Sequence, residues 1–243
     1  SWRPVPGQPE GMFPIHGAFD PKGDFYTTWG DAIGPNHTPT RAGVWKLSTE
    51  GKWTDITPPR GQGGFSGVSV DARRPGHVLV STLHRWWPGD EIFRSTDGGA
   101  NWSPVLSKSK ITTTGATWAA SCKPHWTTDV EIDPFDSNRA FFNTGYGLFS
   151  TRTLDSGENI EWSFTNSGLE ELVPLSLFSP AQGPELISVV GDFTGFVHND
   201  LRRSPAAGRL APENGTNRFL TGAALAPRKL IRQNEKDTLL SSD

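Results

Sequence analysis

The side chains in this sequence best suited to chemistry are aromatic rings and a few loop carboxylates. Ten tryptophans stand against two tyrosines and one methionine. An indole is large and flat and carries one N–H that wants a partner. A chain therefore uses many of them for two purposes, repeated packing or stacking on the flat CH faces of sugar rings. Trp86 and Trp87 precede a Pro88-Gly89 turn and are candidate sugar platforms. Neighbours along a strand point to opposite faces, so one of the two is equally a core candidate. Trp29 and Trp126 are further candidates for stacking, whereas Trp45, Trp53, Trp102 and Trp162 fall in hairpins and read as packing residues. Asp192 follows the apolar run Leu186–Val190 and lies between Gly191 and Phe193. That is a loop at a strand end, where sites are commonly built; a simple turn aspartate is the alternative. His198 either lines such a site or is a satisfied structural histidine. Cys122 is the single cysteine, so no disulfide forms within the chain, and a buried thiol is its expected state. No Cys/His cluster has the spacing of a metal site, and no metal or other cofactor is expected.

The elements that must hold these groups are short strands in a repeat of roughly fifty residues. Five segments share an apolar strand, a Pro/Asp/Gly turn and a second apolar strand: Gly17–Trp29, Gly67–Leu83, Asp129–Thr144, Leu175–Val190 and Ala224–Arg232, with turns beginning near Asp20, Asp71, Asp133, Pro180 and Pro227. A second hairpin follows: Val44–Leu47 runs into Gly51–Trp53, Glu91–Arg94 into Ser95–Trp102, Gly147–Ser150 towards Trp162, and Leu239–Asp243 begins another. Alternating apolar runs bounded by Gly, Asn and Asp are hairpin signals, and the period is that of a four-stranded propeller blade. No amphipathic helix is evident. The fold class is all-β, built of β-propeller blades.

Ser95-Thr96-Asp97-Gly98-Gly99-Ala100-Asn101-Trp102 matches the Asp-box, S-x-D-x-G-x-x-W. Its aspartate caps a turn, its glycine supplies positive φ and its tryptophan packs on the blade, so Asp97 is structural. Asp-boxes occur in sialidases, sortilin-type receptors, photosystem assembly factors and xyloglucanases, so the box gives an architecture and no reaction. A sialidase needs an arginine triad and a tyrosine nucleophile; the two tyrosines, Tyr26 and Tyr146, come with no Arg-Ile-Pro motif. A net charge of −3 offers no basic face for nucleic acid or an anionic membrane. No apolar run reaches the ~20 residues of a membrane-spanning helix. The chain opens at Ser1 with neither Met nor a signal peptide, which reads as a processed or excised piece of a secreted protein. N-x-S/T sequons stand at Asn36, Asn101 and Asn214.

The remaining motifs resemble glycoside hydrolase family 74, along nearly the whole chain and in order. They are Ala18–Trp29 with Gly43–Leu47 and Trp53–Pro58; His84-Arg85-Trp86-Trp87-Pro88-Gly89-Asp90 leading into the Asp-box; and Ile132–Arg139. The sharpest is Gly191-Asp192-Phe193-Thr194-Gly195-Phe196-Val197-His198-Asn199-Asp200-Leu201, against the family's G-D-x-G-G-F-x-H-D-D-L, with Glu170-Glu171 upstream where the family has paired glutamates. Thr194 replaces a Gly and Asn199 an Asp. The resemblance implies hydrolysis of xyloglucan, or a related β-1,4-glucan, with inversion, between two seven-bladed propellers that each supply one carboxylate. It makes Asp192 the carboxylate of the second propeller and its general acid, with Phe193 and Phe196 raising its pKa by desolvation. The partner carboxylate belongs to an upstream T-D-x-G-G-A-Y segment that this sequence lacks, since Thr96-Asp97-Gly98-Gly99 continues as an Asp-box. The chain alone is therefore expected to be inactive and to need the missing upstream part. Residues 1–115 are expected to be the last blades of the first propeller and 116–243 the first blades of the second. The competing readings are a non-catalytic Asp-box propeller that binds glycan or protein, as in sortilin-like domains, and a structural or assembly propeller.

Overall fold

The computed structural model describes residues 2–33, 37–59, 61–167, 169, 172–223 and 226–241. Glu170, Glu171, Asn36 and the last two residues of the terminal hairpin lie outside the described residues. The regular structure among those described is nineteen strands and three 3₁₀ turns, with no α-helix.

The first sheet is β1 (Phe13–Phe19), β2 (Phe25–Gly30), β3 (Ala42–Leu47) and β4 (Trp53–Asp55), antiparallel in chain order. The second repeats the pattern with β5 (Gly64–Val70), β6 (Val78–Leu83), β7 (Ile92–Ser95) and β8 (Ser103–Pro104). A short β9 (Lys110–Thr112) comes next in the chain. The third sheet then runs β10 (Val130–Asp133), β11 (Asp136–Thr144), β12 (Gly147–Thr151) and β13 (Glu161–Phe164), and β9 pairs parallel to the outer edge of β13. The fourth sheet has three strands, β14 (Pro174–Phe178), β15 (Leu186–Val190) and β16 (Gly195–His198). The fifth also has three, β17 (Asn217–Ala223), β18 (Ala226–Asn234) and β19 (Thr238–Ser241). These are the propeller blades expected from the repeat.

Their turns follow from the aspartates that open them. Asp20 accepts from Lys22 N at 2.8 Å, Asp71 from Arg73 N at 2.8 Å and Asp133 from Phe135 N at 2.8 Å. An aspartate bonding to the amide two residues on mimics a backbone turn and sets the register of the hairpin behind it. The fifth repeat departs from expectation. Its first strand is β17, which begins before Ala224, and Pro227 lies inside β18 rather than in the turn. Proline survives there because it falls in an irregularity between the Gly222↔Leu230 and Ala223↔Ala226 pairs and beyond the stretch that pairs with β19.

The chain forms two compact units: residues 1–112 with 123–169, and residues 113–122 with 170–243. This differs from a division at 115/116. The segment 123–169 goes with the first sheets because β10 packs against β5 and β6, and because β9 closes the third sheet. In the first unit, Tyr26, Val44, Phe65, Val68, Val78, Val80 and Phe93 form a core between the first two sheets. Hydroxyls stitch the neighbouring sheets together: Thr28 Oγ1 donates to Ser66 O at 2.6 Å and Ser66 Oγ to Thr128 O at 2.6 Å. In the third sheet Phe142 stacks on Phe149 with centroids 4.8 Å apart, and the fully buried Trp162 meets Phe142 edge-on at 4.8 Å. In the second unit the core is Ile187, Val189 and Leu220, where β17 packs on β14 and β15.

The Asp-box has the role read for it. Asp97 accepts from Asn101 Nδ2 at 2.7 Å, Asn101 N at 2.9 Å and Ser95 Oγ at 2.8 Å, and Gly98 and Gly99 take φ of 74° and 90°. Those bonds, led by the Asn101 side chain, hold the carboxyl down at a pKa of about 2. Trp102 packs on the first core and donates Nε1–H to Ile56 O at 2.6 Å.

Candidate active site

In the second unit, Asp192 stands at the exit of β15, whose Val189 and Val190 are buried. Phe193 N donates to Gly191 O at 2.7 Å across Asp192, whose φ is 63°. A three-residue turn with its central residue in the left-handed region is rare and costs about 1–3 kcal/mol for a residue with a Cβ. Strain of this kind collects where a side chain must be aimed. Asp192 N donates to Thr216 Oγ1 at 2.8 Å, and Gly191 N to Val173 O at 2.9 Å, so both sides of the turn are tied down. The side chain is exposed. Phe193 and Phe196, expected to enclose the carboxylate, are instead buried against Trp118 at 5.5 and 6.1 Å, and Arg209 lies 4.4 Å over the Phe193 ring.

Thr194 fits where a glycine was expected. It stays out of the left-handed region, is buried, and donates Oγ1–H to Leu210 O at 2.8 Å. Leu210 N in turn donates to Gly195 O at 2.9 Å. Gly195 itself is required, with φ 142° and a position at which a Cβ would strike Ser188 O. The loop between β16 and β17 is thus held against the Asp192 turn at Leu210 and Thr216. His198 is half-buried, its Nε2 2.9 Å from Ser188 Oγ, and burial holds its pKa below the usual value. The structure therefore gives it a structural partner.

In the first unit, the tryptophans separate. Trp29 is only 4 % exposed and meets Trp53 edge-on at 6.0 Å, so it is enclosed and has no face for a sugar; β2 is buried on both of its faces from Tyr26 to Gly30. Trp86 and Trp87 are 53 % and 77 % exposed. Trp86 is braced by His84 at 5.8 Å, His125 at 5.4 Å and Trp126 at 5.8 Å, and Lys123 Nζ sits 5.6 Å from the Trp87 ring centre. Trp126 is half-buried, in the left-handed region with φ 54°, and acts as a wall behind Trp86. His125 also packs on Tyr146 at 4.7 Å, with Nε2 3.4 Å from the phenol oxygen. The segment carrying Trp86 and Trp87 is anchored by Asp90, which accepts from Arg85 N at 3.0 Å, Thr82 Oγ1 at 3.1 Å and Thr127 N at 3.2 Å. Burial nonetheless holds the Asp90 carboxyl above the usual range, and burial pushes His84 below its own. Sequence reading missed His125 and Tyr146 as members of this cluster. The available signals were the His125-Trp126 pair and the Gly145-Tyr146-Gly147 turn, but only the packing of β10 on β6 and the Asp90–Thr127 bond bring His125 to Trp86, and the β11–β12 turn brings Tyr146 to His125.

Among the described residues, no group of three or more His, Cys, Asp or Glu side chains is arranged to hold a metal ion, and no helix is long and apolar enough to cross a membrane. No protein-family model matches the chain. A xyloglucanase of Paenibacillus sp. is 37 % identical over 266 residues, covering 98 % of this chain and 26 % of that protein. The xyloglucanase Xgh74A of Acetivibrio thermocellus is 37 % identical over 234 residues, covering 84 % of this chain and 28 % of that protein. The crystal structure of the GH74 xyloglucanase from Xanthomonas campestris superposes on all of this chain with a TM-score of 0.90 at 37 % identity, using 37 % of its own length. The chain thus spans between about a quarter and two fifths of the length of the relatives it matches.

Proposed function

We propose, from the premise that the chain is homologous to one section of the glycoside hydrolase family 74 xyloglucanases, that it carries half of a glycoside hydrolase site acting on the β-1,4-glucan backbone of xyloglucan. The observation that carries this reading is the strained turn of the Gly191–Leu201 motif, which presents Asp192 exposed and with its backbone tied on both sides. In this reading Asp192 is the general acid. It protonates the glycosidic oxygen as the C1–O bond breaks, while a second carboxylate, supplied by sequence outside this chain, takes a proton from the water attacking the opposite face of C1. Inversion by such a pair needs the two carboxyls roughly 6.5–9.5 Å apart, leaving room for the water. Trp86 and Trp87 supply stacking surface for glucosyl units. A polymer substrate of this kind is met outside the cell, so a secreted setting belongs to the proposal.

The test is Asp192→Asn, made in an enzyme that also contains the second carboxylate. Asn keeps the shape and removes the donor. The expected loss in kcat on xyloglucan is about 10²–10⁴-fold, the usual worth of general acid catalysis, with substrate affinity nearly unchanged. An aryl glycoside with a good leaving group needs little protonation and should lose far less. Equal losses on both substrates would assign Asp192 as the base instead, and undiminished activity on xyloglucan would remove it from the site.

A further inference from the structure

A half-open cavity of about 400 Å³ lies between the fourth and fifth sheets, lined by Ile187, Val197, Leu210, Leu220 and Leu230, with Arg232 of β18 on its wall. Arg232 is 8 % exposed. Its Nη2 donates to Pro212 O at 2.9 Å, but its Nη1 is buried and has no hydrogen-bond partner. Burial pushes its pKa down, and no acidic side chain among the described residues offsets that. A guanidinium does not give up its proton in a protein, so a full charge lies beside a largely apolar, half-open cavity with one donor unused. A buried cation is tolerated when an anion completes it and is destabilising when none does.

We propose that this cavity binds a carboxylate with an apolar body, its oxygens on Arg232 Nη1 and its carbon chain along Ile187, Leu220 and Leu230. The size is that of a small-ligand site, for which about 300–1,000 Å³ is usual. One free guanidinium edge matches a monoanion, and besides Arg232 the described lining residues add a single side-chain hydroxyl, that of Ser241, fewer donors than a phosphate would require. The carboxylate is either a free small acid or an acidic side chain on an apolar extended peptide. The site is separate from the sugar chemistry proposed above. It touches the same loop, because Pro212 and Leu210 lie between Arg232 and Thr194.

The experiment is calorimetric titration of the 243-residue chain with four probes: hexanoate against 1-hexanol, and acetyl-Leu-Glu-Leu-amide against acetyl-Leu-Gln-Leu-amide. At least one carboxylate should bind roughly tenfold or more tightly than its neutral counterpart, the usual worth of a charge-assisted bond, and Arg232→Met should abolish the difference. Tighter binding of hexanoate assigns a free acid; tighter binding of the glutamyl peptide assigns a polypeptide side chain. Met matches arginine in apolar bulk and removes an unpaired charge, so the variant should melt no lower than the parent. The neutral-probe comparison stands even if it does not fold. The proposal is overturned if neither carboxylate binds, if acids and neutral counterparts bind alike, or if folded Arg232→Met binds the acid undiminished.

Discussion

Trp29, Trp86 and Trp87 carry the same side chain and have three different fates. Sequence reading treated all three as stacking candidates, because an indole looks the same in sequence whether it faces a core or a solvent groove. Burial separates them: Trp29 is enclosed by the first sheet, Trp86 is half-open and leans on three rings, and Trp87 stands nearly free. The two exposed rings should respond differently to truncation. Trp87→Ala is expected to raise KM for xyloglucan oligosaccharides roughly three- to tenfold with kcat and melting temperature nearly unchanged, since stacking is mostly uniform binding. Trp86→Ala should raise KM similarly and also lower the melting temperature, because His125 and Trp126 lose their packing partner. Steady-state kinetics alongside thermal melts separate the two, and unchanged KM in both variants would remove these rings from substrate binding. Asp192 was legible as a loop carboxylate from its motif. Its left-handed backbone and the Thr216 partner twenty-four residues away were not, since neither leaves a local mark in the sequence.

At the level of elements, the hairpins were readable wherever turn chemistry is local. Asp20, Asp71 and Asp133 each bond to an amide two residues on, and each opens a turn where sequence reading put one. Pro227 misled because proline marks a sheet irregularity as readily as a turn. What binds one sheet to the next is not local. Arg74 in the β5–β6 turn donates to Asp71 at 2.6 Å and to Asp155 at 2.8 Å, and Arg94 of β7 also pairs with Asp155, so the second and third sheets share an ion network. Burial alone would raise the carboxyls of Asp71 and Asp155. Hydrogen bonds from Arg73 N, Arg74 and Ser137 at Asp71, and from Arg74 and Arg94 at Asp155, outweigh it and hold both below the ordinary 3.8. A carboxyl with a lowered folded value stabilises the fold above its unfolded value, and that contribution is lost as pH falls through the folded value. Asp155→Asn is therefore expected to cost about 1 kcal/mol near neutrality, as a partly exposed network pair does. The difference from the parent should shrink on acidification below pH 3.8. Urea unfolding of both proteins across this range measures it, and a difference that grew towards low pH would contradict the network's role.

Over the whole molecule, the two compact units are built differently. The first has sheets of four strands or more, whereas the second has two sheets of three. The second unit also leaves Leu175, Leu177, Phe219, Ile231 and Leu240 exposed. Ile231 and Leu240 are direct partners across β18 and β19, so they share one face of the fifth sheet. Fewer buried apolar groups and more open strand edges mean lower local stability. Amides of β15 and β18 should therefore exchange with deuterium faster than those of β6 and β11, at a pH where exchange reports opening. Equal protection in the two units would show that they unfold as one.

The parallel strand β9 has a consequence for how such a protein is inherited. The outer edge of the third sheet is closed by residues that precede the sheet by some twenty positions, with an excursion into the second unit in between. A recombination event that copied residues 123–169 alone would deliver a blade with a bare edge, and one that broke the gene near 115 would leave β9 without the sheet it closes. The repeat is visible in the sequence as a series of cassettes. The crossing of the chain makes the third cassette inseparable from its neighbours, so lineages are expected to gain or lose this stretch as a block rather than blade by blade.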